Sequence, residues 1–233
     1  MDVIKASNLP LATTSIIILN TVVFAFGLLS GSQEQIIRHY GFSPEQLFLF
    51  HNLSLPQFSL AADTLTRLFS SIFIHANIVH IAFNLLALVY LGGYAERSIG
   101  VFRYVFIYII AGIVGALFYG IIAIFILGNA HSILIGASGA ISGILGIAAA
   151  FGNTRAYYWF LFQIVFAVIG SVSAIPIAFT AHVGGFISGV ILTRILIKFE
   201  RKKRMKYWKN SSDDIWSPFY GSHTCSRPHS SDD

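Results

Sequence analysis

From position 97 through 199 the chain contains neither aspartate nor glutamate. A water-facing surface is not built that way: soluble domains carry about 25% charged residues, whereas this chain has 11% charged against 55% hydrophobic. The sequence therefore predicts a polytopic membrane protein. The same balance excludes a soluble enzyme and a disordered regulator, and a single cysteine, Cys225, excludes a disulfide scaffold. The net charge of +5 is not a nucleic-acid footprint. Seven of the fifteen basic residues (Lys198, Arg201, Lys202, Lys203, Arg204, Lys206 and Lys209) follow the last apolar run in one stretch, which is the pattern of a stop signal at an anionic leaflet. Membrane lipid is an expected partner and nucleic acid is not.

A crossing helix needs roughly 20 mostly apolar residues, and six such segments are predicted, at about 11–29, 69–92, 101–127, 135–151, 157–173 and 178–197. The first also fits a cleaved signal peptide, an alternative that its long apolar run disfavours. Segment 30–68, with Pro44, Pro56 and the apolar patch 47–50, is too apolar for a free loop and too short to cross twice. It is expected to lie half-sunk at the lipid interface. The fold class is thus an all-α membrane protein, a six-transmembrane-helix bundle with an interfacial loop after the first helix. The membrane domain is expected over 1–207 and a disordered cytoplasmic tail over 208–233. Only Arg38 and Arg67 fall on the side of the long loop, against Lys5, Arg97, Arg103, Arg155 and the terminal cluster on the other. The positive-inside rule then makes both termini cytoplasmic. Glu96 and Arg97 are expected to cap and anchor the inner end of the second span.

Strongly polar groups inside spans are costly and mark function. They include His75, Asn77, His80 and Asn84 in span two, Ser138 and Ser142 in span four, and His182 in span six. The spacing i, i+3, i+7 puts Asn77, His80 and Asn84 on one helical face, which must point into the protein because lipid offers no hydrogen bonds. Gly139, Gly143 and Gly146 form a small-residue stripe on span four, and Gly185 and Gly189 form another on span six. Such stripes let two backbones come close. If they face each other, Ser138 at the head of one meets His182, one turn before Gly185, on the other. At about 1.5 Å per residue, Ser138 lies roughly 20 Å, His182 roughly 24 Å and His80 roughly 18 Å above the inner interface. All three heights fall below the outer surface of a core about 30 Å thick.

A serine hydroxyl needs a base to take its proton, and histidine suits that task near neutrality. Ser138 sits in Gly136-Ala137-Ser138-Gly139 at a helix start, where free N–H groups and the positive dipole end favour a developing oxyanion. His80 and Asn84 can supply further donors. The carboxylate-free stretch argues against a Ser-His-Asp triad, and it excludes an aspartyl intramembrane protease. There is no HExxH for a zinc protease. A Ser138–His182 dyad, which requires no cofactor and no metal, is the consistent alternative.

At these residues the chain resembles the rhomboid intramembrane serine proteases. Gly136-Ala137-Ser138-Gly139 is similar to the family's GxSG nucleophile motif, and Ala181-His182-Val183-Gly184-Gly185 to its AHxxG base motif. His80 with Asn84 matches the HxxxN of the oxyanion hole. Leu91-Gly92-Gly93-Tyr94-Ala95-Glu96 resembles the stretch closing span two, and Arg67 matches the arginine of the first loop's tryptophan–arginine motif. The resemblance covers about 60–195. It implies Ser138 and His182 as catalytic residues, His80, Asn84 and the Ser138 N–H as the oxyanion hole, and Gly136, Gly139 and Gly185 as supports. Two positions depart from the pattern: Thr66 stands in place of the loop tryptophan, and Ser142 where many members carry an aromatic residue that stacks on the base histidine.

The resemblance further implies that the substrates are single-pass transmembrane proteins, cut near the outer end of their helices, with lateral access past span five and its Phe160, Phe162 and Phe166. A second reading stays open: a catalytically silent rhomboid-like protein that binds or escorts client helices. A haem or metal carrier using His75, His80 and His182 is a third, disfavoured because His75 is five positions from His80 and so points elsewhere on a helix.

Overall fold

The structure, a computed structural model, describes residues 9–51, 57–126, 128–172 and 179–216. Among them the regular elements are helices: α1 (Leu11–Leu29), α2 (Gln33–Tyr40), α3 (Gln57–Ser70), α4 (Ile78–Ile99), α5 (Val101–Phe125), α6 (Ser138–Ala150), α7 (Thr154–Val172) and α8 (Phe179–Trp216), with 3-10 turns at Pro44–His51 and Ser71–Phe73. Four helical stretches are long and apolar enough to cross a membrane: α1, α4, α5 and Phe179–Lys203 of α8. The fourth expected span appears as α6, apolar but only 13 residues long. Met1–Thr193 forms one compact unit and Arg194–Asp233 a second; every candidate site residue lies in the first. The tail expected over 208–233 overlaps the end of α8, and 217–233 lie outside the described residues.

Helix α6 is built almost wholly of Gly, Ala, Ile and Ser, and every residue from Gly139 to Ala149 is buried. A helix apolar on all sides has to be surrounded, and α6 packs on α4, α5 and α7. The small-residue stripes face each other. A Cβ on Gly185 would run into the Gly139 carbonyl, one on Gly189 into the Gly143 carbonyl, and one on Gly146 would stand 2.6 Å from the Phe186 oxygen. Backbone meets backbone there, so the heights of α6 and α8 are fixed against each other.

Span two begins later than its hydropathy suggests, at Ile78 rather than near 69. The apolar stretch before it forms the turn Ser71–Phe73, whose Ile72 and Phe73 are buried along with Ile74. Asn77 is consequently not on the helical face shared by His80 and Asn84. It is the N-cap, and its side chain accepts the His80 N–H at 2.9 Å.

Glu96 also differs from expectation. Only 2% exposed, it accepts the N–H groups of Ala12 (3.0 Å) and Thr13 (2.7 Å) and the Thr13 hydroxyl (2.8 Å). It therefore caps α1, whose own N-cap, Pro10, has no side chain for the purpose. On the side of the long loop, Arg67 holds Asp63 at 2.8 Å and donates to the Arg38 carbonyl at 2.9 Å, while Ser70 donates to the Tyr40 carbonyl at 2.6 Å. The Thr66 hydroxyl is spent on its own helix, on the Ala62 carbonyl at 2.8 Å. The loop is thus tied by Arg67 and Ser70 without an aromatic anchor at 66.

Candidate active site

The site begins with a glycine. The Gly136 N–H donates to the Ser71 carbonyl at 2.9 Å, and the residue has φ +117°, a conformation open to glycine and strained for other residues. A Cβ there would stand 2.6 Å from His80 Nε2, so only glycine lets that imidazole reach the loop. Two residues on, Ser138 opens α6, with Ala137 as an N-cap that makes no side-chain bond. The first-turn N–H groups of a helix have no intrahelical partner and carry the positive end of its dipole.

His80 stands on the first turn of α4. Its Nδ1 faces the Ala76 N–H at 3.5 Å, which assigns the ring proton to Nε2, the atom turned toward Gly136. Asn84, one turn on and 6% exposed, donates from Nδ2 to the His80 carbonyl at 2.8 Å, with a second amide hydrogen remaining. His75, outside α4 and fully buried, meets the His80 ring edge-on with centroids 5.0 Å apart.

His182 lies in the first turn of α8. The carbonyl of Ala181 before it is 3.6 Å from where a Cβ on Gly139, the residue after Ser138, would stand. Ser138, His182, His80 and Asn84 all line one cavity of about 730 Å³. Its wall continues along 132–135, Ser142, Phe83 of α4 and Trp159 of α7, with no Asp, Glu, Lys or Arg among its described residues. Nδ1 of His182 is enclosed with no hydrogen-bond partner among the described residues. Its aromatic neighbour comes from its own helix: Phe179, with ring centroids 5.7 Å apart and planes at 83°.

Sequence reasoning does not single out Phe179, Phe83, Trp159 or the 132–135 edge. A phenylalanine or an isoleucine in an apolar chain carries no signal of its own. The expected aromatic gate on α7 needs correction. Phe160 stacks on Phe186 of α8, centroids 3.9 Å apart and planes at 9°, because its face of α7 packs inward. Phe162 is exposed beside Trp159, and the Phe166 side chain lies outside the described residues. Asp63 is engaged by Arg67 and by Gln46 Nε2.

An apolar helical bundle enclosing a serine, two histidines and an asparagine around one cavity defines an integral multi-pass membrane protein with a polar interior site. A family model described as Rhomboid domain matches residues 62–199. The chain belongs to the rhomboid family. It is 33% identical over 134 residues to RHOMBOID-like protein 1 of Arabidopsis thaliana, covering 54% of this chain and 33% of that protein. With Rhomboid protease AarA of Providencia stuartii it shares 33% identity over 147 residues, 59% of this chain and 48% of the other. It is also 30% identical over 125 residues to Inactive RHOMBOID-like protein 8 of Arabidopsis thaliana, 54% of this chain and 31% of that one. The chain therefore spans between 31% and 48% of the length of these relatives.

Proposed function

We propose that the protein is an intramembrane serine endopeptidase of six crossings, with both termini cytoplasmic, that cleaves single-pass transmembrane substrates near the outer end of their helices. The observation that carries this reading is the single cavity shared by Ser138, His182, His80 and Asn84 from three different helices. Ser138 Oγ attacks the scissile carbonyl while His182 takes its proton. The oxyanion is held by the Ser138 N–H at the positive end of α6, with His80 Nε2–H and the free Asn84 amide hydrogen as further donors. His182 then returns the proton to the leaving amine, and water releases the acyl group by the reverse sequence. Gly136 gives His80 its approach, and Gly139 with Gly185 holds α6 and α8 at the spacing the dyad needs.

The geometry of 132–135 supports an extended substrate. Leu134 exchanges both backbone hydrogen bonds with Phe42, at 3.1 and 2.7 Å. In an antiparallel bridge the flanking residues, Ile133 and Ile135, turn their N–H and C=O groups the other way, and both line the cavity. A substrate segment unwound from its helix pairs along that edge, which has no other backbone partner among the described residues. Lateral access between α4 and α7 is favoured by Phe83 and Trp159, which line the cavity yet are 70% and 50% exposed.

The 30% match to an inactive relative favours the second reading, a silent protein that binds client helices. One experiment separates the two. Purified protein is treated with a fluorophosphonate probe and, in parallel, with a single-span substrate, wild type beside Ser138→Ala and His182→Ala. The protease reading expects labelling and cleavage in wild type and neither in the variants. A folded wild type that is unlabelled and binds the substrate intact overturns it.

A further inference from the structure

A base is useful only while its ring points at the nucleophile, and the usual device for that is absent around His182 among the described residues. No carboxylate or carbonyl among the described residues holds its Nδ1, which is nonetheless enclosed. Imidazole χ2 is a broad, roughly two-fold torsion, so a ring without that hydrogen bond turns unless a neighbour blocks it. The glycine contacts of Gly185 and Gly189 with α6 fix where the His182 backbone stands, but they leave its torsions open. Ser142, buried one turn below Ser138 and on the same cavity, brings a hydroxyl and no ring. An aromatic ring that does meet the imidazole is that of Phe179, at the i−3 position where helical side chains are neighbours. Their near-perpendicular planes at 5.7 Å form the edge-to-face pair that aromatic quadrupoles favour.

We propose that Phe179 is a positioning residue for His182, holding the imidazole in the rotamer that serves Ser138. The inference rests on the protease reading above. It assigns to a side chain on the base's own helix the orienting role that a triad gives to an acid. The contact acts on the base alone. Its loss therefore lowers kcat and leaves substrate binding in place.

The test uses the full chain in detergent, comparing wild type, Phe179→Leu and Phe179→Tyr. The readings are kcat and KM on a single-span substrate, the rate of fluorophosphonate labelling at Ser138, and the thermal unfolding midpoint. Phe179→Leu is expected to lower kcat and the labelling rate together by about three- to tenfold, the rate equivalent of one aromatic pair, with KM within about twofold. Phe179→Tyr, which restores the ring, is expected to return both rates to within about twofold of wild type. Should Phe179→Leu not be recovered folded, Phe179→Met supplies the ring-free side chain and is read in the same way. A ring-free variant with unchanged kcat, a loss confined to KM, or a folded Phe179→Tyr that fails to recover overturns the positioning role. A wild type that is not labelled at Ser138 overturns the protease reading itself, so the two failures are told apart.

Discussion

His75 shows how a single side chain couples this site to pH. It is fully buried just before α4, with the His80 ring beside it. Burial, and then the neighbouring His80, pushes its imidazole from the ordinary 6.5 down to about 4. The folded protein therefore keeps His75 neutral while the unfolded chain binds a proton there. Stability from this residue is fully present above 6.5 and is lost as pH falls from 6.5 toward 4, by about 3 kcal/mol over the whole window. Thermal unfolding of wild type and His75→Gln at pH 7.5 and pH 4.5 checks this: the wild-type midpoint should fall by more than that of the variant. Equal falls would place the acid sensitivity elsewhere. Residues of this kind are legible in the amino-acid sequence, because a polar atom in an apolar chain has few places to go; Ser138, His182, His80 and Asn84 stand out for that reason. Phe179 does not, since one phenylalanine among 21 is indistinguishable from packing until its neighbour is known.

Among the elements, α1 and α5 follow the hydropathy closely, at Leu11–Leu29 and Val101–Phe125, because neither contains a proline and both stay apolar on average from end to end. Hydropathy misplaces the start of span two for a physical reason. The buried turn Ser71–Phe73 is as apolar as a helix, and only the cap bond from Asn77 marks where α4 begins. The pairing of α6 with α8 is readable from glycine spacing. The inward packing of α7 is not, because its aromatic residues occur on several faces. On the proposed reading, that packing makes α7 the element on which lateral access would depend. It is pinned to α8 by Phe160 stacked on Phe186, with Tyr157 edge-on to the same ring at 5.9 Å. Phe160→Ala removes the stack without touching the dyad. Cleavage of a transmembrane substrate should rise about two- to tenfold, the rate equivalent of one aromatic contact, while a small fluorophosphonate probe labels Ser138 at the wild-type rate. If both assays shift alike, Phe160 acts on the site and α7 is not the access path.

On the scale of the whole molecule, the orientation proposed from the asymmetry of charge decides which end of a substrate helix would be reached. The chain has one cysteine, Cys225, beyond the basic cluster from Lys198 to Lys209; the loop side carries Arg38 and Arg67 instead. In the proposed orientation, argued from the positive-inside rule, the cluster is cytoplasmic. A membrane-impermeant maleimide applied to intact cells should therefore leave Cys225 unmodified and react after permeabilisation. In a Cys225→Ser background, Gln35→Cys, at an exposed position on α2, should react without permeabilisation. The second label is needed because an unreactive Cys225 alone could be shielded rather than sequestered. Helix α6, at about 1.5 Å per residue, is roughly 20 Å long in a core of about 30 Å, so its two ends cannot both reach water. With Cys225 inside and position 35 outside, the Ser138 end of α6 is the one facing the loop, and the proposed cleavage would release the exterior part of a substrate. The reverse labelling pattern would invert the protein in the bilayer and move the cut to the cytoplasmic end.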